Sequence, residues 1–115
     1  MTYQNILVPV DGSDISFSAL KHAAAIAKAF GSKVTAISVV AEDPFAAADF
    51  YYSPDMLKDY IQEAIKNAEE GLGKAKQLAE QQGVQIDTQV VRDSVAAETI
   101  IKTAESLHTD LIIMG

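Results

Sequence analysis

Apolar and polar positions alternate along the chain in two different periods, and the period switches repeatedly from strand-like to helix-like. The first segment, Asn5 to Val10 in "NILVPV", is almost unbroken in β-branched and apolar residues, the pattern of a strand covered on both faces. Leu20, Ala23, Ala24, Ala27 and Phe30 then follow helical spacing. Ser13 or Asp14 is placed to cap that helix at its start, and Gly31 to end it.

The switch recurs three more times. Lys33 to Val40, "KVTAISVV", predicts a second strand, and "AEDPFAAADFYYS" a loop after it. Ser53 followed by Pro54 is a helix start, a capping hydroxyl with proline in the first turn. From there Leu57, Ile61, Ala64, Ile65, Ala68, Leu72, Ala75, Leu78 and Ala79 form one apolar stripe that Gly83 stops. Gly71 and Gly73 interrupt it, each costing about 1 kcal/mol relative to alanine, so a kink or a close packing contact is expected there. Val84 to Val91 predicts the third strand. Ser94 is placed to cap a third helix running to Leu107, and "DLIIMG" predicts a fourth, short strand.

The resulting order, β-α-β-α-β-α-β, predicts an α/β fold: an open parallel sheet with right-handed crossovers and helices on both faces. Ligands of such sheets sit beyond the carboxyl ends of the strands, where the winding direction reverses. That rim collects Asp11, Val39 to Ala41, the Asp93-Ser94 turn and Gly115.

At 115 residues the chain is expected to form one domain with a packed core. A formal charge of −7 argues against binding to DNA or RNA, an affinity that comes from cationic side chains displacing counterions. With no cysteine, disulfides, thiolate catalysis and cysteine-based zinc sites are excluded. The N-terminal residues lack the basic and apolar regions of a signal peptide, and no stretch has the length of a membrane span, so no membrane partner is expected and the expected location is cytoplasmic.

Candidate chemistry is sparse. There is no G-x-x-x-x-G-K-[ST] loop, and Gly71-Leu72-Gly73 falls inside a helical pattern instead of opening a dinucleotide fingerprint. His22 is expected on a helix face and His108 at the end of the third helix, without carboxylates at ligand spacing. No serine stands in G-x-S-x-G. The acidic residues of the second helix alternate with lysines, as on a solvated face. Asp11 remains. Locally it is a turn residue, its carboxylate suited to the Asp-Gly-Ser bend; by position it ends the first buried strand of an α/β sheet, where a ligand would sit.

"NILVPVDGSDISFSALKHAAAIAKAFGSKVTAISVV", the ending "RDSVAAETIIKTAESLHTDLIIMG" and the long middle helix resemble the universal stress protein family over essentially the whole chain. The most specific pieces are Ile6-Leu7-Val8-Pro9-Val10-Asp11-Gly12-Ser13 and Thr109 to Gly115. The resemblance implies a Rossmann-like fold of the adenine nucleotide alpha hydrolase type, with strand order 3-2-1-4. It also implies ATP as ligand, alone or with Mg2+. By matching positions, Pro9, Val10 and Asp11 meet the adenosine end, the Val39 backbone bonds the adenine, and Gly115 is the first glycine of a phosphate loop. The implied nucleotide-binding set is completed by Gly12, Ser13 and Met114. Val-Asp-Gly-Ser and the terminal Met-Gly point to the ATP-binding branch, with a regulatory stress-response role in a homodimer and at most weak ATP hydrolysis or autophosphorylation.

The family pattern continues past Gly115 with a second glycine, a final Gly-Ser or Gly-Thr, a fourth helix and a fifth strand that are not in this sequence. The expectation is therefore a single universal stress protein domain over residues 1–115 lacking its C-terminal part, with triphosphate binding weakened or lost and an open apolar edge at Leu111 to Met114. Two other readings stand beside this one. A dimeric interaction module of the same family would bind no nucleotide. An ATP-pyrophosphatase-like enzyme would need S-G-G-x-D-S after the first strand, which Val10 to Asp14 does not supply.

Overall fold

The computed structural model describes residues 4–41, 54–93 and 96–114. The expected loop after the second strand lies outside the described residues except for its first residue, Ala41, which ends β2; the expected capping residues Ser53 and Ser94, and Gly115, also lie outside them.

The elements follow the expected order: β1 (Asn5–Pro9), α1 (Asp14–Phe30), β2 (Lys33–Ala41), α2 (Pro54–Gln81), β3 (Ile86–Asp93), α3 (Ala96–Ser106) and β4 (Leu111–Ile112). All strand pairs are parallel, and the order across the sheet is β3-β2-β1-β4, so the switch point lies between β1 and β4.

Strand alternation sorts the core. Ile6 and Val8 of β1 with Val10 just after it, Val34 and Ala36 of β2, and Ile86 of β3 face α1 and α2, packing on Phe17, Leu20, Ala23, Ala27, Leu72, Ala75 and Ala79. The other parity, including the fully buried Leu7 and Ile37, turns towards the face of α3. Two helices on one face and one on the other follow from the chain moving β1 to β2 to β3 in one direction and then returning to β4.

The helix ends share a device. Ser32 N–H donates to the Ala27 carbonyl, Val84 N–H to Ala79 and Thr109 N–H to Ala104, each closing its helix across six residues. Gly31 (φ 68°) and Gly83 (φ 78°) supply the left-handed residue for α1 and α2; His108 (φ 54°) supplies it for α3. His108 thus ends the third helix as expected, through its backbone, and His22 is exposed on α1.

Several boundaries differ from the sequence reading. β3 begins at Ile86, not Val84, because Val84 is committed to the cap of α2: its N–H closes the helix and its side chain is buried against the core. Phe30 leaves the buried stripe of α1 and is 47% exposed in the last turn. In the α2 stripe Ile61, Ala64, Ile65 and Leu78 are half-buried, while Ala68, Leu72, Ala75 and Ala79 are buried. Among the described residues, a Cβ at Gly71 or Gly73 would meet nothing within 4 Å, so none of them makes the expected close packing contact, and α2 runs through both without a break. β4 shrinks from six expected residues to a ladder of two pairs, Ile6 with Leu111 and Leu7 with Ile112.

Candidate functional site

Pro9 explains both the short β4 and the site beside it. Ile113 N–H donates to the Leu7 carbonyl at 3.0 Å, which puts the backbone groups of Leu7 on the β4 side of β1; two residues on, Pro9 faces the same side and has no N–H to give. The β1–β4 ladder cannot continue past it. On the other side, Val10 N–H donates to the Ile37 carbonyl at 2.7 Å, and β1 then turns away at Asp11. Val39, two residues beyond Ile37 on the same edge of β2, projects past the last rung that β1 provides.

The opening left at this rim is a cleft of about 350 Å³ lined by Pro9, Val10, Asp11, Ser13, Ile15, Ser16, Ile37, Val39, Ile100 and Met114. Its walls are mainly aliphatic. Among the described residues its polar side chains come only from the turn at the start of α1, a distribution suited to a flat organic ligand held by a few directional bonds.

That turn is built locally. Asp11 Oδ1 accepts from Ser13 N–H (2.9 Å) and from Ser13 Oγ (2.5 Å), the bend that Asp-Gly-Ser favours, and Gly12 takes the positive φ of 85° that the bend requires. Ser13 Oγ in turn accepts from Ser16 N–H at 3.2 Å as the N-cap of α1, while the buried Ser16 donates its hydroxyl proton to the Ser13 carbonyl at 2.8 Å. The bonds from the Ser13 side chain, and next from its backbone, hold the Asp11 carboxyl below its ordinary value of 3.8. Asp11 therefore stays ionised and acceptor-only at neutral pH. It is both the turn residue and a lining residue of the cleft; the two readings of it are compatible.

Of the eight residues singled out in the sequence, Pro9, Val10, Asp11, Ser13, Val39 and Met114 come together around this cleft. Gly12 does not: it lines a second opening of about 370 Å³ on the α2 side of the rim, with Ser38, Tyr60, Asn67 and Gly71 among its neighbours. Sequence reasoning missed Ile15, Ser16, Ile37 and Ile100. Ile15 had a signal, being an apolar residue in the first turn of a helix whose buried positions lie elsewhere; it is 67% exposed at the cleft mouth. Among the described residues, no three His, Asp or Glu side chains gather as a metal site would need, and no helix is long and apolar enough to cross a membrane.

Among the described residues, a four-stranded parallel sheet in the order 3-2-1-4, with a cleft where β1 and β4 part, defines a Rossmann-like α/β fold, with one strand fewer than the usual universal stress protein fold. The chain belongs to the universal stress protein family, whose model matches residues 2–115. A universal stress protein of Methanocaldococcus jannaschii is 40% identical over 113 residues, covering 98% of this chain and 64% of that protein. The chain thus spans a little less than two thirds of that relative. Among solved structures, the universal stress protein UspA from Lactobacillus plantarum is similar over 100% of this chain and 78% of its own, with TM-score 0.81 and 26% identity. The universal stress protein from Archaeoglobus fulgidus in complex with dAMP matches 100% of this chain and 82% of its own, with TM-score 0.76; at 23% identity it shares the fold.

Proposed function

We propose that this chain binds an adenine nucleotide in the cleft between β1 and β4 and acts as a regulatory stress-response protein of the cytoplasm. The observation that carries the reading is the gathering of six sequence-selected residues around one cleft at the switch point. Its volume suits a nucleoside, its aliphatic walls suit a purine face, and Asp11 offers a fixed acceptor to a hydroxyl or amino group. The A. fulgidus protein of the same fold was solved with dAMP, which supports an adenine nucleotide as the ligand class. ATP is the nucleotide proposed, with Gly115 as the first glycine of a phosphate loop. A phosphate loop there would hold anions through backbone N–H groups.

Calorimetric titration with AMP and with GMP tests the reading. AMP is expected to bind, GMP to bind at least about tenfold more weakly, and Asp11→Ala to lose about 1 to 3 kcal/mol of AMP affinity, the usual loss for a hydrogen bond to a charged group. Equal AMP affinity for Asp11→Ala and the parent would return Asp11 to a purely structural role.

Homodimerisation is the second element of the proposal. Ile112 and Met114, 39% and 59% exposed, leave apolar surface at the outer strand, which favours a partner there. Light scattering that finds a monomer at all concentrations overturns this element and leaves the nucleotide reading untouched.

A further inference from the structure

We propose that Asp110 is a positioning residue for the cleft: from the opposite rim of the sheet, its carboxylate sets the register of β4 and so places Met114. The proposal rests on the nucleotide reading only where its test uses a nucleotide.

The argument begins from how little holds β4. Two residue pairs join it to β1, too short a ladder to define its own register. Ahead of the ladder, however, Asp110 Oδ2 accepts from the backbone N–H groups of both Gln4 and Asn5, each at 2.9 Å. The Asp110 N–H donates to the Asn5 carbonyl at 2.9 Å, and Asn5 Nδ2 to the His108 carbonyl at 3.2 Å. Bonds to an ionised acceptor are the stronger kind, and two neighbouring backbone donors converging on one oxygen admit a single alignment. A slip of β4 by one residue would break this latch. It would also turn Ile112 and Met114 to the core face and bring Leu111 and Ile113 to the cleft face.

Beyond the latch, the two ladder pairs, the Ile113 N–H bond to Leu7 and the packing of Leu111 and Ile113 on the core tie the segment to β1 before Met114 reaches the cleft. The latch adds the anchor at the far end of the strand, ahead of all of these. The left-handed His108 serves the same alignment, since it turns the chain from α3 into the latch.

Hydrogen exchange followed by NMR tests this. Asp110→Ala should accelerate exchange at the Ile113 amide by about tenfold or more relative to the Val10 amide, which is bonded to β2 on the other side of β1. Asp110→Asn should recover part of the protection, because its amide oxygen still accepts. The Met114 methyl resonance should shift in Asp110→Ala, and AMP affinity should fall several-fold. Leu72→Ala, which loosens the opposite face of the sheet, should leave both unchanged at a temperature where it is folded. The proposal is overturned by unchanged protection at Ile113, by equal acceleration at Ile113 and Val10, or by selective loss at Ile113 with the Met114 methyl unmoved. If Asp110→Ala does not fold, Asp110→Asn carries the same comparison with a smaller expected acceleration at Ile113. A parent chain that binds no AMP defeats the nucleotide reading alone, and the Ile113 and Met114 signals then decide the latch.

Discussion

Ser13 donates twice to a single oxygen of Asp11, through its N–H at 2.9 Å and its hydroxyl at 2.5 Å, while the same hydroxyl oxygen caps α1 by accepting from Ser16. One side chain thus fixes the carboxylate at the cleft and the start of the helix behind it. Removing the hydroxyl in Ser13→Ala should cost about 1 kcal/mol of stability, the usual loss for an N-cap, read by urea denaturation. It should also let the Asp11 carboxyl rise towards its ordinary value, read by NMR titration, since the largest cause of the depression is that hydroxyl. A Ser13→Ala chain as stable as the parent would show that the cap contributes nothing.

The depressed Asp11 carboxyl gives stability a pH dependence of known sign. A group whose folded value lies below its unfolded one contributes stability above the unfolded value, here about 4, and loses it as pH falls through the folded value. Asp11→Asn should therefore be less stable than the parent near pH 6, and the difference should shrink towards pH 2. Because Asp11 is largely exposed, water screens the effect and the difference is small. Melting curves of both chains across this range check it. A gap that widens on acidification would reverse the sign and defeat the assignment.

His108 does in α3 what glycine does in α1 and α2, at the cost a side chain meets in the left-handed region. His108→Gly should raise stability by about 0.5 to 1 kcal/mol, the relief of strain being partly offset by the freer unfolded chain. Thermal unfolding is the measurement. A lower melting temperature would mean that the imidazole makes a contribution larger than the strain.

Core and surface should respond very differently. Leu20 is fully buried beneath the sheet, and Leu20→Ala should lose about 3 kcal/mol through lost burial and the cavity left behind. Lys33 and Asp87 form an ion pair at 3.2 Å with both side chains about two-thirds exposed; Asp87→Asn should change stability by less than about 0.5 kcal/mol. Denaturant titrations of the two variants should separate them clearly.

Much of the fold is legible in local sequence because its causes are local. Ser13 caps α1, Gly31 and Gly83 take left-handed conformations, and the apolar stripe of α2 continues through Gly71 and Gly73, all from interactions within a few residues. The Asp-Gly-Ser bend was readable for the same reason, as was its place at the end of a buried strand. The start of β3 was less legible. Val84 is apolar in either role, and whether it opens the strand or closes the helix depends on the bond its N–H makes to Ala79.

By itself the sequence determined the order of elements, the Ser13 cap, the glycine ends of α1 and α2, and the α/β class, since periodicity and turn chemistry act within a few residues. Only the tertiary structure decided which residues share the cleft. Pleat parity turns Pro9, Ile37 and Val39 to the α3 side, Gly12 lines the opposite opening, and the missing N–H of Pro9 ends the ladder only because β4 is the neighbour on that edge. Asp110 reaches Gln4 and Asn5 across more than a hundred residues. No local pattern encodes that bond, because it exists only when the chain has returned from β3 across the sheet to lay β4 beside β1.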